Sequence, residues 1–346
     1  MNEPVYSATF SGSFIKTLIM KKISLLILTV VLLFTGAAHA QFKGYAWKIL
    51  NTNGAFIPRE ECDFVNVKGK FYLVGGRGLK NVNEFDPATS AWTSAAKPPI
   101  ELNHFQAIVY KDEIYICGAM TGGFPHEKPV ANIYIYNPAA DSWRIGAEIP
   151  KERQRGSGGV VVYKNKFYLV CGILDGHWTG NVSWFDEYDP KTGQWKQLPD
   201  APMARDHFRA AVVGNKLYCI AGVQSNAMEK KLLNNTIAQI DVYDFKTGQW
   251  TTTNAKLPTL RAGNALVVVK NEILVIAGES TAQKISHNEV EAYNVKTGEF
   301  TKLPPLVAGR HATGAIYFDK KIYTTAGVGN SGGSPLLNSI ECFSDK

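Results

Sequence analysis

The chain has 346 residues and a formal net charge of +7, from 37 lysines and arginines against 30 aspartates and glutamates. The basic residues are spread over many predicted turns, such as YKNK and FDKK, and form no clustered stripe. A nucleic-acid-binding surface needs such a cluster or a known motif, so the sequence predicts no nucleic-acid partner.

Residues 20–40 have the three parts of a secretory signal peptide. Met20, Lys21 and Lys22 precede the apolar run ISLLILTVVLLF, and TGAAHA ends in an A-x-A cleavage site. Because the run is shorter than a bilayer span, no membrane span is expected in the mature chain. We interpret residues 1–19 as sequence upstream of the natural start. A signal this short is bacterial in type and predicts a periplasmic or secreted protein.

Cleavage is expected after Ala40, which leaves a single mature domain over residues 41–346. This removes three lysines and one glutamate, so the formal charge falls from +7 to +5. N-terminal sequencing of the exported protein should therefore begin at Gln41. A first residue upstream of Met20 would contradict the assignment.

Six apolar runs of the mature chain each end in a pair of small residues. The pairs are Gly75-Gly76, Gly118-Ala119, Cys171-Gly172, Ala221-Gly222, Ala277-Gly278 and Ala326-Gly327. Seventeen residues before the second member of each pair stand, in order, Arg59, Leu102, Arg155, Arg205, Arg261 and Arg310. A register this constant indicates one module repeated six times.

A second column of aromatic residues has the same period. Five aromatics are each followed seven residues later by another: Phe85 and Trp92, Tyr136 and Trp143, Tyr188 and Trp195, Tyr243 and Trp250, Tyr293 and Phe300. Turn sequences such as DPATSA and DPKTGQ separate them, and they supply the backbone angles that tight hairpins need. Short apolar or alternating runs without helical periodicity predict an all-β fold with four antiparallel strands per module.

The two ends of the mature chain complement each other. The sixth module ends at Lys346, after its third-strand aromatic Phe343 and before a fourth strand. Trp47 precedes Arg59 much as Trp143 precedes Arg155 in a complete module. The N-terminal strand is therefore predicted to complete the last blade and close the ring, which removes a free sheet edge.

The module resembles the kelch repeat family, within the galactose-oxidase central-domain-like superfamily. The resemblance lies in three features: the small pair, the arginine upstream of it, and the tryptophan seven residues after an aromatic. The resemblance covers residues 42–346. It implies a six-bladed kelch β-propeller of four antiparallel strands per blade. Copies of one module around an axis would set the arginines in a ring.

The five cysteines Cys62, Cys117, Cys171, Cys219 and Cys342 are interpreted as free, buried thiols. Several lie in apolar second strands, where a thiol behaves as a small hydrophobe. An odd number argues against a complete disulfide framework. The sequence has no C-x-x-C motif and no metal-ligand cluster at a typical spacing. We therefore predict no metal and no cofactor.

Strand alternation places the arginine column and the loops after the small pairs on one face, around the channel mouth. A second column of residues, also predicted to face the channel, lies two positions after the arginine column: Glu61, His104, Ser157, His207, Gly263 and Ala312. Variable loops on a rigid scaffold are typical binding sites. The predicted ligand-binding residues are Arg59, Arg155, Arg205, Arg261, Arg310, His104, His207, His177 and Trp178.

Converging guanidiniums suit a carboxylate or another anion, and Trp178 could stack on a sugar ring. The alternative is structural: the arginines pair with carboxylates such as Glu60, Glu61 or Asp206 and tie adjacent blades together. The tryptophan column is interpreted as blade packing.

The exported bacterial sialic-acid mutarotases are a second resemblance, since they are six-bladed kelch propellers with a signal peptide. Their proposed base follows a small pair in a segment similar to LVIAGESTAQK, which implies Glu279 as the catalytic residue here. The family's arginine six residues later is Ile285 in this chain, with Lys284 beside it. The family's long insertion is absent.

Three functions remain open at the level of sequence. The leading hypothesis is an exported, monomeric propeller that binds a glycan or an anionic small molecule. The first alternative is a mutarotase acting on an acidic sugar. The second is a protein-interaction module that takes an acidic peptide. A copper oxidase is disfavoured, because the tyrosine–histidine–cysteine constellation of galactose-oxidase-like enzymes is missing.

Overall fold

The computed structural model describes residues 1 and 41–345, so the predicted signal peptide and its cleavage site lie outside the described residues. Residues 41–44 form a turn. From Tyr45 onward the chain builds six four-stranded antiparallel sheets, which confirms the all-β, six-bladed propeller. Within residues 41–345 no helix is long and apolar enough to cross a bilayer.

The first three blades follow one another in the sequence. Blade 1 consists of β2 (Cys62–Val67), β3 (Lys70–Gly75), β4 (Asn83–Asp86) and β5 (Ala91–Ser94). Blade 2 consists of β6 (Ala107–Tyr110), β7 (Glu113–Ile116), β10 (Asn132–Asn137) and β11 (Ser142–Glu148), with a small hairpin of β8 (Met120–Thr121) and β9 (Lys128–Pro129). Blade 3 consists of β12 (Gly159–Tyr163), β13 (Lys166–Asp175), β14 (Thr179–Asp189) and β15 (Gln194–Leu198).

The last three blades include the closing one. Blade 4 consists of β16 (Arg209–Val213), β17 (Lys216–Ile220), β18 (Gln239–Asp244) and β19 (Gln249–Lys256). Blade 5 consists of β20 (Ala265–Val269), β21 (Glu272–Gly278), β22 (His287–Asn294) and β23 (Glu299–Leu303). Blade 6 consists of β24 (Ala315–Phe318), β25 (Lys321–Thr325), β26 (Ile340–Asp345) and, as its outer strand, β1 (Tyr45–Ile49). Single 3₁₀ turns cover Lys151–Arg153 and Ala227–Glu229.

The N-terminal strand closes the ring as predicted. β1 pairs antiparallel with β26, placing Trp47 opposite Phe343, and their rings stack with centroids 5.2 Å apart. The innermost strands β2, β6, β12, β16, β20 and β24 contact one another in a closed cycle around the axis. Hydrophobic layers between neighbouring blades form the core, into which the aromatic columns pack.

The small pairs join each blade to the next. In five pairs the second member is a glycine with φ between 81° and 123°, a conformation that favours glycine. Its N–H donates to the carbonyl of the arginine-column residue of the next blade, as Gly172 does to Arg205 at 2.9 Å. A Cβ at these glycines would lie 2.4–2.9 Å from a backbone carbonyl oxygen. The repeat is therefore set by backbone contact as much as by core packing.

All five cysteines are buried and unpaired, in agreement with the sequence interpretation. Burial raises the pKa of Cys62, Cys117 and Cys171 to about 12. Because the thiolate is the reactive species, these thiols are inert structural residues.

Candidate functional site

The second inward column encircles the axis, as the sequence predicts. All six residues have a left-handed backbone, with φ between 49° and 61°. From His104 onward, the N–H of each member donates to the carbonyl of the previous member at 2.7–3.3 Å, and Cys62 N–H completes the circle at Ala312 O. Five of the six are not glycine, so this backbone is strained. The hydrogen-bonded circle holds the side chains of the column at fixed positions.

Three histidines and a glutamate meet at the centre of this circle. We call these four residues the histidine cluster: Glu61, His104, His177 and His207. One ligand-type atom from each lies within 4.8 Å of all the others. Glu61 Oε1 is 3.3 Å from His104 Nε2, and the imidazole centroids are 4.5–5.0 Å apart. The ring positions before blades 1, 2 and 4 supply three members. The β13–β14 loop of blade 3 supplies His177.

Each imidazole of the histidine cluster is anchored through Nδ1. His104 Nδ1 is 2.7 Å from Asn103 Oδ1, and His177 Nδ1 is 3.2 Å from both carboxylate oxygens of Glu127. His207 Nδ1 bonds to Asp206, whose carboxylate also accepts from the N–H and hydroxyl of Ser225.

The buried Nε2 of His207 has no hydrogen-bond partner among the described residues, and the buried Nε2 of His104 has only the Glu61 carboxylate, at 3.3 Å and without good hydrogen-bond alignment. The His104 and His207 side chains are only 0% and 7% exposed. A buried polar atom without a partner costs about 1–3 kcal/mol, so this pair of poorly satisfied nitrogens is unusual in a stable fold.

The charges within the histidine cluster are unequal. Burial lowers the pKa of His104, and burial together with the nearby His207 lowers that of His177 to about 4. Burial acts in the same sense on His207, but the Asp206 carboxylate outweighs it and raises the pKa of His207 to about 9. Burial also disfavours ionised Glu61, yet His104 and the other facing groups hold its pKa well below the usual range.

A cavity of about 640 Å³ opens above the histidine cluster. Polar groups and apolar side chains from several blades line it, among them Glu60, Arg77, Phe124, Leu232, Glu279 and His311. Arg77 is already paired with Glu60, at 3.4 Å, and with the fully buried Glu127. Burial and the adjacent Glu61 raise the pKa of Glu60 to about 7. The cavity combines hydrogen-bonding groups with an apolar rim and has no unpaired arginine among its described lining residues.

Glu279 lies on the cavity wall, where its carboxylate is held at three points. Oε1 is 3.3 Å from His311 Nε2, and Oε2 accepts from Ser331 Oγ at 3.0 Å and from Gly332 N–H at 3.1 Å. Ile285, at the position of the mutarotase arginine, is 64% exposed and lines a different pocket, together with Lys284.

A cross-channel network lies below the histidine cluster. Arg209 of blade 4 donates to Asp63 at 2.6 Å and to the backbone carbonyls of Cys62 and Thr313. The Gln106 side chain links blade 2 to backbone groups of Val160 and Ala210. Hydrogen-bonded side chains thus cross the channel beneath the site, which we call the cup.

The five predicted arginines do not reach this cup. Their side chains are 0–1% exposed, and each guanidinium turns into its own blade: Arg59, Arg155, Arg205, Arg261 and Arg310. Arg205, for example, donates to the carbonyls of Cys219, Ala221 and Gln239 and pairs with Asp241 at 2.5 Å. A guanidinium without exposed surface cannot meet a ligand from solvent, so the predicted ligand-binding role of these residues is corrected to a structural one.

The acidic partners also differ from the expected Glu60, Glu61 and Asp206. Four arginines pair with a carboxylate on the third strand of the same blade: Arg155 with Asp186, Arg205 with Asp241, Arg261 with Glu291 and Arg310 with Glu341. Arg59 bonds to the neutral Asn83 instead, and burial lowers its pKa to about 10. Each partner stands two residues before the third-strand aromatic, a spacing that is visible in the sequence.

The remaining predicted residues divide between cluster, cavity and periphery. His104, His177 and His207 belong to the histidine cluster, and Glu279 lies in the cavity wall. Trp178 instead packs its ring on His126, with centroids 4.7 Å apart. The sequence spacing predicts no metal-ligand cluster, whereas the fold brings together from four blades four side chains of the types that bind metal ions.

Comparison with known proteins agrees with the architecture. A profile of the Attractin/LZTR1 β-propeller family matches residues 34–282, and a kelch-motif profile matches residues 260–307. The solved structure of YjhT superposes with a TM-score of 0.71 at 14% identity, covering 83% of this chain and 95% of that one. At that identity the likeness shows the fold alone.

Curated relatives are kelch-like proteins. The chain is 28% identical over 310 residues to Kelch-like protein terF of Aspergillus terreus, covering 85% of this chain and 66% of that protein. It is 26% identical over 262 residues to human Kelch-like protein 38, covering 74% and 42%. It thus spans less than two thirds of the length of these relatives. The profile match over most of the chain and the six repeated blades show that the chain belongs to the Attractin/LZTR1 β-propeller family of kelch-repeat proteins.

Proposed function

We propose that this kelch propeller is a binding module whose mouth cavity takes a polyhydroxylated ligand, a sugar or the end of a glycan. The observation that carries the proposal is the cup of about 640 Å³ in which carboxylates and imidazoles face an apolar rim. Sugars present hydroxyls to such acceptors and donors and a flat C–H face to apolar side chains. Pockets of this size and mixed lining are typical of small-molecule sites.

The charge of the cup favours a neutral ligand over an anionic one. Carboxylates of Glu60, Glu61, Glu127 and Glu279 surround it, whereas the cations are Arg77 and His207, both already paired with carboxylates. The expectation of an anion or an acidic peptide depended on the arginine ring, which is buried. A neutral glycan is therefore the ligand class we propose. We also propose that the protein meets it after export, on the basis of residues 20–40.

A glycan array followed by calorimetry tests this proposal. We expect a neutral glycan to bind, and Glu279→Gln to weaken it by about tenfold to a hundredfold, because hydrogen bonds to charged groups contribute about 1.5–3 kcal/mol. Glu229→Gln is the matched control, since Glu229 is 52% exposed and pairs only with Lys231. Failure of every glycan to bind, with a peptide partner captured instead, would replace the proposal by a protein-interaction role.

Sugar mutarotation is the second candidate, and the Glu279–His311 contact favours it. A carboxylate 3.3 Å from an imidazole in a cavity can move a proton during ring opening and closure. NMR mutarotation assays on neutral and acidic sugars should then show acceleration that Glu279→Gln abolishes. Acceleration for no sugar leaves binding as the function.

A further inference from the structure

We propose that Glu61, His104, His177 and His207 form a binding site for one divalent transition-metal ion of the zinc type, at the centre of the channel mouth. The proposal goes beyond glycan binding and stands whether or not the cavity above takes a sugar. It corrects the absence of a metal site expected from sequence spacing.

The geometry of the histidine cluster fits a single ion. Zinc binds imidazole nitrogens and carboxylate oxygens at about 2.0–2.2 Å, so neighbouring ligand atoms in a tetrahedral site lie about 3.3 Å apart. Glu61 Oε1 and His104 Nε2 are already at 3.3 Å, and all four ligand atoms lie within 4.8 Å of one another. Small side-chain rotations toward a central ion would bring the wider pairs into range.

The poorly satisfied imidazole nitrogens point to an absent ligand. Nε2 of His207 is buried and has no hydrogen-bond partner among the described residues, and the buried Nε2 of His104 is 3.3 Å from Glu61 Oε1 without forming a well-aligned hydrogen bond. Buried polar atoms are almost always satisfied, so one unpartnered imidazole nitrogen beside a second that has only an ion-pair contact calls for an explanation such as an ion. One metal ion between the rings would coordinate both nitrogens, taking the place of any proton on them.

The surroundings of the histidine cluster are those of metal-binding histidines. Such histidines use one ring nitrogen for the metal and hold the other against a carboxylate, a carbonyl or a similar acceptor. Here the Nδ1 atoms of the three rings contact side-chain oxygens of Asn103, Glu127 and Asp206. Each Nε2 atom is therefore left to face the centre of the cluster. Two of these acceptors are carboxylates, and Asp206 is itself fixed by Ser225.

The ligand set and the local charge select the class of metal. Imidazole suits zinc, copper, nickel and iron, whereas magnesium and calcium prefer oxygen ligands. The carboxylates around the centre, those of Glu61, Glu127, Asp206 and Glu279, outnumber the cations Arg77 and His207, so the field attracts a dication. The side chains of Glu61 and His177 are each 12% exposed toward the cavity, which gives an ion a path of entry.

Calorimetric titration of the untagged full chain with Zn²⁺, after treatment with a chelator, tests the site. We expect one Zn²⁺ per chain and no comparable binding of Mg²⁺ or Ca²⁺. His177→Ala should lower the affinity about a hundredfold or more, a larger loss than the ten- to hundredfold typical of outer-shell changes. His126→Ala is the matched control, because His126 lies in a loop on the same face, is 53% exposed and is outside the histidine cluster.

Co²⁺ provides a second readout that does not depend on affinity. The wild-type protein should give the visible absorption of four-coordinate Co²⁺, and His104→Ala should lose it while circular dichroism verifies the β fold. His177 lies in a loop, so its variant remains informative even if His104→Ala unfolds. Zn²⁺ binding that is absent, or that His177→Ala and His126→Ala reduce equally, would overturn the proposal.

Discussion

Replacing Arg205 by leucine should lower the free energy of unfolding by about 3–5 kcal/mol, the usual cost of removing one partner of a buried ion pair. The change leaves the Asp241 carboxylate, 1% exposed, without its countercharge. It also removes the donor for the carbonyls of Cys219, Ala221 and Gln239. Urea denaturation followed by tryptophan fluorescence measures the loss.

A double variant separates the ion pair from the rest of the effect. Arg205→Leu with Asp241→Leu should recover part of the loss, since a buried pair can often be replaced by apolar residues of similar volume. Arg144→Leu is the control, because Arg144 pairs with Glu113 at the surface and is 48% exposed, and it should cost less than about 1 kcal/mol. An equal cost for Arg144→Leu and Arg205→Leu would refute the structural role.

Blade 2 shows that the chain already contains an apolar version of this arrangement. Leu102 occupies the arginine position, Ala119 replaces the second glycine, and Tyr134 stands where other blades have the acidic or amide partner. All three are buried in one hydrophobic layer. All three linked positions of blade 2 differ from those of the other blades, so the leucine in the arginine column is no defect of the blade.

Arg209→Met should be comparably destabilising, by about 3–5 kcal/mol. Methionine keeps most of the aliphatic length of arginine but leaves Asp63, whose side chain is 3% exposed, unpaired inside the channel. The links from blade 4 to the backbone at Cys62 and Thr313 are lost as well. The same urea titration measures the change.

Asp63→Asn combined with Arg209→Met should restore part of this stability. Asparagine carries no charge, and its oxygen can still accept from the Ala107 N–H, which Asp63 binds at 2.7 Å. Lys166→Met, which removes an exposed pair with Glu187, is the control and should change stability by less than about 1 kcal/mol. A double variant as unstable as Arg209→Met alone would show that the buried charge is not the cause.

The repeat register made the architecture predictable. The spacing of small pairs and aromatics is local and recurs six times, so strand number, hairpins and the closing role of Trp47 all follow from it. Strand direction then placed Glu279, His177 and His207 on one face, where the structure has them. Repetition compensates for the weakness of any single motif.

The direction of the arginine side chains was not predictable from the column alone. A long side chain at a blade entrance can extend into the channel mouth or fold back along its own strands. The deciding feature is the hydrogen-bond acceptor two positions before the third-strand aromatic, which is a carboxylate such as Asp241 in four blades and the amide of Asn83 for Arg59.

The histidine cluster could not be inferred from spacing. Glu61, His104, His177 and His207 are far apart in the sequence, and motifs for metal sites rely on ligands close together on one element. Ring closure brings together the entrances of blades 1, 2 and 4 and one loop of blade 3. The closed circle of backbone hydrogen bonds positions Glu61, His104 and His207, and the β13–β14 loop adds His177.

Ring closure by β1 also governs when the protein can finish folding. Tyr45–Ile49 is among the first parts of the propeller to leave the ribosome, yet its partner Ile340–Asp345 is among the last. At about 5–20 residues per second, the first strand waits roughly 15–60 s without its partner. During synthesis the chain therefore carries an unpaired strand edge that could associate with other chains. The joint that completes the finished ring is thus a part of the nascent chain that a chaperone would protect.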